Sequence, residues 1–316
     1  MNIVMLEPLG VSEDVMRAAA APLLAAGHTL FYCGAPLTDE KKREAAARAD
    51  IAIIANGKLT SDVIEAGDHM KLLAVGFTGV DHVDLDACKK AGIRVVNASG
   101  YATDATAELA LALTLSCLRH LDLCDAQVRE GKTRAGVVHH TLRGKTVGIV
   151  GTGAIGCRFA ALLAPFGCRV LGYARHESER AKALGIEFVS LDELVSQSDV
   201  VSLHVPLTDE TRHMIDARRL KLMKKDAILV NCARGAVVDS AALAEALNEG
   251  KLAAAGLDVF ETEPPIAADH PLLHAKNAIL APHVGFFSEE SLALRAEIVC
   301  DNIKAFLDGA PKSVIL

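Results

Sequence analysis

The sequence predicts an α/β protein built from two doubly wound parallel-sheet domains, on three observations. The 316 residues are long for one domain and suit two. Short runs of Val, Ile and Leu alternate with alanine-rich segments of helical spacing almost throughout, which is the strand, crossover helix, strand order of a parallel sheet covered on both faces. The alternation runs to about residue 101 and restarts after "LRGK", with no low-complexity linker and no solenoid repeat between.

In order, the first set of strands is read at "NIVML", "TLFYC", "IAIIAN", "LLAVGF" and "IRVVN". "SEDVMRAAAAPLLAAG", "TDEKKREAAARAD", "TSDVIEAG" and "DLDACKKAG" are the helices between them. One long helix is expected from about Thr103 to Glu130. The second set of strands is "TVGIVG", "RVLGY", "VVSLHV", "AILVN", "AAAGLDV" and "AILAPH", each followed by helix or loop. From Ser288 to Leu316 the pattern is helical again. Two adjoining domains leave a cleft, a preferred place for a small-molecule site.

Composition narrows the functional classes. Apolar residues make up 51% and charged residues 23%, enough for sizeable cores and against disorder. The net charge of −7 offers no basic patch for nucleic acid. The best apolar run, "LALALTLSCL", is about half a membrane span and is bounded by Glu108 and Arg119. The N-terminus lacks a signal-peptide layout, so a cytoplasmic location is expected and the eight cysteines read as reduced thiols that fill space. No metal site is expected: His139-His140 and Asp81-His82 read as linker and turn.

The most informative stretch is Gly151-Thr152-Gly153-Ala154-Ile155-Gly156, which follows an apolar strand and opens a helix. In that context Gly151 makes the tight turn, Gly153 admits a pyrophosphate, and Gly156 lets helix and strand pack closely. The helix start at Ala154 and Ile155 presents N–H groups to the anion. A dinucleotide ribose usually meets an acid about 20 residues on. Here that place holds Ala174 and Arg175, followed by His176. An arginine grips a 2′-phosphate in a bidentate, charge-assisted way, so NADP(H) is expected over NAD(H). His204 ends a strand beside the expected coenzyme and is read as lining its pocket.

Three later segments, "ILVNCARGAVVD", "AAGLDVFETEPP" and "ILAPHVGFF", each end an apolar strand in polar residues. They deliver Arg234, Glu263 and His283 to one carboxyl edge of the sheet, the edge that faces ligands in open α/β folds. An arginine fork docks a carboxylate, and a histidine moves a proton near neutral pH with a glutamate to hold it.

With these motifs the chain resembles the D-isomer-specific 2-hydroxyacid dehydrogenase family over nearly its whole length. The resemblance also rests on "GVDHVDLDACKKAGIRVVN", "YATDATAELALAL", "SDVVSLHVPLTDETRHMI" and "LMKKDAILVNCARGAVVD". It implies a Rossmann coenzyme domain (residues 102–285) inserted into a flavodoxin-like substrate domain (1–101 and 286–316). It makes Arg234, Glu263 and His283 the catalytic residues and puts Asp258 beside the nicotinamide amide. It extends the coenzyme site to Val205, Pro206, Thr211, Cys232, Ala233 and Gly285. Val75, Gly76, Phe77, Thr78 and Gly79 match the segment that holds the substrate carboxylate through backbone N–H groups, continuing to Val80. Phe286, with Phe287 and the "LEPLG" segment, is expected to line a pocket for a small or apolar side chain. The implied reaction is reduction of a 2-oxo acid by NADP(H), or NAD(H), with His283 giving the proton, worth about 10²–10⁴-fold. A homodimer through the coenzyme domain is implied, with the Thr103–Glu130 helix at the contact.

Departures from the family refine this picture. Ala174-Arg175 is the pattern of members resembling NADP-dependent glyoxylate and hydroxypyruvate reductases. Glutamate rather than glutamine at 263 argues against formate as substrate. The chain ends at Leu316 without the regulatory domain of many phosphoglycerate dehydrogenases, which leaves that activity as an alternative. A nucleotide-sensing corepressor of the same fold is the alternative from another class.

Overall fold

A computed structural model describes every residue of the chain except Ala135, Glu263 and Pro264. It divides into two units, Met1–Ala102 with Phe286–Leu316, and Thr103–Gly285.

The first unit contains β1 (Asn2–Met5), α1 (Glu13–Ala19), α2 (Ala21–Ala25), β2 (Thr29–Phe31), α3 (Asp39–Ala46), β3 (Ile51–Ile54), α4 (Ser61–Ala66), β4 (Leu72–Val75), α5 (Leu85–Lys90) and β5 (Arg94–Asn97). Its five strands are parallel in the order β2-β1-β3-β4-β5. That order reverses at β1/β3, the switch point of a flavodoxin-type sheet. "IAII" and "LLAV" are buried at every position, because helices cover both faces. Helix starts are set by short polar caps: Ser12, Thr38 and Asp84 accept from the N–H groups of Val15, Lys41 and Ala87.

The second unit contains α6 (Thr103–Arg119), α7 (Leu121–Arg129), β6 (Thr146–Val150), α8 (Ala154–Leu163), β7 (Arg169–Tyr173), α9 (Glu179–Ala183), β8 (Glu187–Phe188), α10 (Leu191–Gln197), β9 (Val200–Leu203), α11 (Ala217–Leu222), β10 (Ile228–Asn231), α12 (Ser240–Asn248), β11 (Ala254–Leu257) and β12 (Ala278–Leu280). Its seven parallel strands run β12-β11-β10-β9-β6-β7-β8, reversing at β6/β9. One apolar layer, with Leu113, Phe159 and Leu163, joins α6 and α8 to the sheet. The other, with Leu194, Leu220 and Leu243, carries α10 to α12. Helix α13 (Glu289–Leu307) then returns to the first unit.

Three expectations from the sequence are corrected. The helix expected over Thr103–Glu130 is two, because His120 adopts left-handed φ 47° between α6 and α7. The last helix stops at Leu307, and Val314 returns to pair with Val96 as an isolated antiparallel bridge. A two-residue edge strand, β8, lies where only helix was read; it is too short to leave a periodic signal. Among the described residues no helix is long and apolar enough to cross a membrane.

Candidate active site

In the second unit the glycine turn leaves β6 at the switch point. Gly151 has φ +98°, and a Cβ there would stand 2.6 Å from the carbonyl oxygen of His204; its N–H donates to Tyr173 O at 2.8 Å. A side chain at Gly156 would collide with the Gly151 carbonyl, so α8 lies against the turn only with glycine there. Gly153 differs: a Cβ on it would meet nothing within 4 Å, and as the helix N-cap it offers no side chain to the first-turn N–H groups of Ala154 and Ile155. Open space over bare N–H groups at a helix start is what a pyrophosphate requires. The nucleotide therefore fits these residues.

At the tips of β7 and β9, Ala174 is half-buried, while Arg175 and His176 are exposed. The Arg175 guanidinium stands 3.8 Å from the Glu210 carboxylate. Beyond β9, Thr211 Oγ1 donates to the carbonyl of Pro206 at 2.7 Å and so closes the turn that follows Val205. His204 shares a hydrogen bond with Ser202 Oγ through Nε2 at 2.9 Å and packs against Phe159, ring centroids 5.4 Å apart. The residue keeps some exposure, but its ring is enclosed, and burial pushes its pKa down to about 4. A neutral imidazole at pH 7 suits a pocket wall better than a proton donor.

The turn after β10 is held by Asn231, which is 1% exposed. Its Nδ2 donates to the carbonyl of Arg234 at 2.9 Å, and its Oδ1 accepts from Ala233 N–H at 3.0 Å. Gly235 lies directly on the Phe260 backbone, where any side chain would clash. Arg234 thus leaves the sheet in a defined direction, with Nη1 donating to the carbonyl of Ala233 at 2.8 Å. Beside it the Cys232 thiol is pushed far up by burial, with the Asp258 charge adding to the shift, so it stays protonated and unreactive.

His283 follows β12 with φ 54°, a left-handed conformation uncommon for a residue other than glycine. Asp258, 1% exposed after β11, accounts for it. The His283 N–H donates to the Asp258 carbonyl at 2.8 Å. The N–H groups of Val284 and Gly285 donate to Asp258 Oδ1 and Oδ2 at 2.8 and 2.7 Å. Thr106 Oγ1 on α6 then donates to the Gly285 carbonyl at 3.0 Å. One buried carboxylate therefore clamps the histidine turn. The sequence could not show this, since the partners lie 26 and 27 positions apart. Glu263, the expected partner of His283, lies outside the described residues.

In the first unit, Gly76 follows β4 with its N–H donating to Ile54 O at 2.7 Å. A Cβ there would stand 2.6 Å from Leu9 Cδ2 and 3.1 Å from Ile54 O, so glycine lets the chain lie flat on the core. Three consecutive carbonyls are tied back: Gly76 O to Arg295 Nη1 at 3.3 Å, Phe77 O to Ala98 N–H at 3.1 Å, and Thr78 O to Asn97 Nδ2 at 2.7 Å. In a trans peptide the following N–H points the opposite way. By this rule the N–H groups of Thr78 and Gly79, which follow the Phe77 and Thr78 carbonyls, turn outward, and they donate to no backbone acceptor among the described residues. Successive amides turned outward make an anion nest. Arg295 and Asn97 were not foreseen in this role; a lone arginine among Leu292, Ala296 and Val299 at helical spacing was the overlooked signal.

The apolar pocket expected from "LEPLG" is corrected. Leu6 and Leu9 are fully buried, and Glu7 is occupied: it pairs with Lys42 Nζ at 2.6 Å and accepts from Ala55 and Gly57 N–H. Those groups build the core. Phe286 is half-buried with its ring 5.1 Å from that of Phe77, whereas Phe287 is 60% exposed.

A glycine turn at a Rossmann switch point, with an arginine and a clamped histidine along the same sheet edge, defines a nicotinamide-dependent oxidoreductase. The family model for the NAD binding domain of D-isomer specific 2-hydroxyacid dehydrogenases matches residues 111–285. The chain is 42% identical over 279 residues to a glyoxylate reductase of Thermococcus litoralis, covering 85% of this chain and 83% of that one. An acyclic imino acid reductase (Bsp5) in complex with NADPH and D-Arg superposes with a TM-score of 0.88 at 28% identity, covering all of both chains. D-lactate dehydrogenase from Aquifex aeolicus, complexed with NAD and lactic acid, superposes with a TM-score of 0.83 at 32% identity, covering 98% of this chain and 96% of that one. The chain belongs to the D-isomer specific 2-hydroxyacid dehydrogenase family.

Proposed function

We propose that this protein is an NADPH-preferring reductase of small 2-oxo acids such as glyoxylate, working as a homodimer. The observation that carries the chemistry is the clamped turn of His283 on the same sheet edge as Arg234. In this reading the Arg234 guanidinium and the outward N–H groups of the Gly76–Val80 segment bind the substrate carboxylate and orient its ketone or aldehyde. A reduced nicotinamide coenzyme held at the Gly151–Gly156 turn would supply the hydride. His283, protonated and held by Glu263, gives its ring proton to the carbonyl oxygen as the C=O bond becomes an alcohol. Oriented binding and fixed donors supply the remaining acceleration.

The coenzyme reading is supported by Ala174 in place of an acid and by an Arg175 whose partner, Glu210, is 3.8 Å away and 73% exposed. Such a surface pair contributes little, so a 2′-phosphate of nearly two charges displaces it readily. The dimer reading is supported by α7. It buries none of its nine residues, and Leu121, Leu123 and Val128 are 54%, 41% and 71% exposed, with Val138 nearby at 69%. A pocket of about 270 Å³ beside it, lined by Cys117, His120, Leu123 and Ile279 among others, adds apolar surface. A single helix with that much apolar surface is an interface in waiting, and an isologous pairing of two copies covers it.

Turnover tests the reading directly. Purified protein is assayed with NADPH and NADH against glyoxylate, hydroxypyruvate, pyruvate and phenylpyruvate. Oxidation of NADPH by at least one acid, with higher kcat/KM than NADH, is the expected result. No oxidation of either coenzyme across the panel would refute the enzyme reading, as the corepressor alternative requires.

A further inference from the structure

Arg295 lies on the buried face of α13, between Leu292 and Val299, and is only 3% exposed. Its Nη1 donates to Gly76 O at 3.3 Å and its Nη2 to the carbonyl of Leu9. No carboxylate pairs with it among the described residues, and its buried Nε has no hydrogen-bond partner. Tyr101 and Phe286 flank it, with ring centroids 5.5 and 5.7 Å from the guanidinium carbon, and the Tyr101 side chain also favours its charged form. A guanidinium keeps its charge even where burial lowers its pKa. A cation enclosed by carbonyl dipoles and aromatic side chains, with no carboxylate against it among the described residues, is costly for a fold to maintain.

The cost acquires a purpose from what Arg295 holds. The Gly76 carbonyl it binds belongs to the first peptide of the outward-facing amide segment, and turning that carbonyl inward turns the Phe77 N–H outward. The same helix braces the segment a second time. Asn302, two turns further along α13, donates from Nδ2 to the carbonyl of Asn97 at 2.8 Å, and Asn97 in turn holds Thr78 O. An anion bound on the outer side of these amides faces a peptide dipole and, behind it, an unneutralised cation.

We propose that Arg295 is a positioning residue for substrate recognition: buried behind the Gly76–Val80 segment, it orients those amides and supplies the positive charge that makes them selective for a carboxylate. This rests on the reading that the segment binds the substrate carboxylate. Arg295 acts only on ligands that carry that anion. A neutral carbonyl compound gains nothing from it.

The test uses the full-length protein, wild type and the variants Arg295→Met and Arg295→Lys, with NADPH. The KM and kcat for glyoxylate, the inhibition constant of oxamate (a non-reducible carboxylate), kcat/KM for the neutral aldehyde methylglyoxal, and thermal unfolding are measured. Arg295→Met, which keeps the volume and loses the charge, is expected to raise the glyoxylate KM and the oxamate Ki by about tenfold, ~1.4 kcal/mol. In it kcat and the methylglyoxal reaction should change little. Arg295→Lys, which restores charge without a fork over two carbonyls, should recover part of the loss. A merely structural role would lower the unfolding temperature and affect both substrates alike. If Arg295→Met does not fold, Arg295→Lys decides: the same carboxylate-confined rise supports the proposal and unchanged constants overturn it. A folded Arg295→Met with wild-type constants overturns the role of Arg295 while wild-type inhibition by oxamate keeps the carboxylate segment. Wild-type protein indifferent to oxamate, and as active on methylglyoxal as on glyoxylate, overturns both.

Discussion

Replacing Asp258 with asparagine weakens the clamp on the His283 turn while keeping its shape. In the native protein the two carboxylate oxygens accept from Val284 and Gly285 N–H at 2.8 and 2.7 Å. Asparagine preserves one acceptor and turns an NH₂ group toward the other buried N–H. One charge-assisted hydrogen bond, ~1.5–3 kcal/mol, is lost and one donor is stranded, for a total of about 3 kcal/mol. The left-handed turn at His283 (φ 54°) stores ~1–2 kcal/mol, which is released when the histidine relaxes away from its working position and offsets part of that loss, leaving a net destabilisation of about 1–2 kcal/mol. For a unit of this size the unfolding temperature should fall by roughly 2–8 °C. A shift of about 1 Å in the imidazole should lower kcat by about 10²-fold. The assay is kcat on glyoxylate at saturating NADPH, alongside thermal unfolding and the NADPH dissociation constant. A variant that keeps kcat and unfolding temperature near wild type refutes the clamp. A variant that keeps kcat but loses coenzyme affinity assigns Asp258 to the nicotinamide amide instead.

Other substitutions address the coenzyme, the pH response and the assembly. Arg175→Ala should lower kcat/KM for NADPH by about tenfold through loss of a charge-assisted phosphate contact and leave NADH unaffected; equal effects on both coenzymes would remove Arg175 from 2′-phosphate recognition. His204 has a pKa of about 4 when folded against about 6.5 when unfolded, so the unfolded chain binds the extra proton between those values. Its contribution is intact above pH 6.5 and declines as pH falls toward 4, reaching about 3 kcal/mol of lost stability there. Relative to His204→Gln, wild type should therefore lose about 2 kcal/mol between pH 7.5 and pH 5 in urea unfolding; a pH-independent difference would contradict the burial argument. Val128→Glu, at the most exposed apolar position of α7, should convert a dimer to a monomer in light scattering, whereas a dimer that survives places the interface elsewhere.

The family, the parallel-sheet architecture and the glycine turn were all legible in the residues. They depend on short-range features: apolar runs of strand length, helical spacing, and successive glycines two and three positions apart in a known context. The placement of Arg234 and His283 was legible for the same reason, since each follows a strand, β10 or β12, at the carboxyl edge of the sheet. Glu263 was read in the same way and lies outside the described residues. Tertiary structure decided what the sequence could not order by spacing. His120 splits a helix that is periodic on both sides, because one left-handed residue leaves the apolar pattern unchanged. Asp258 reaches the backbone of Val284 and Gly285 only because β11 and β12 are neighbours in the sheet. Arg295 meets Gly76 across 219 positions of chain, where packing of α13, rather than any motif, sets the contact. A sequence states which groups are available along its length, while burial and hydrogen-bond partners, which set their charge and direction, exist only once distant segments are brought together.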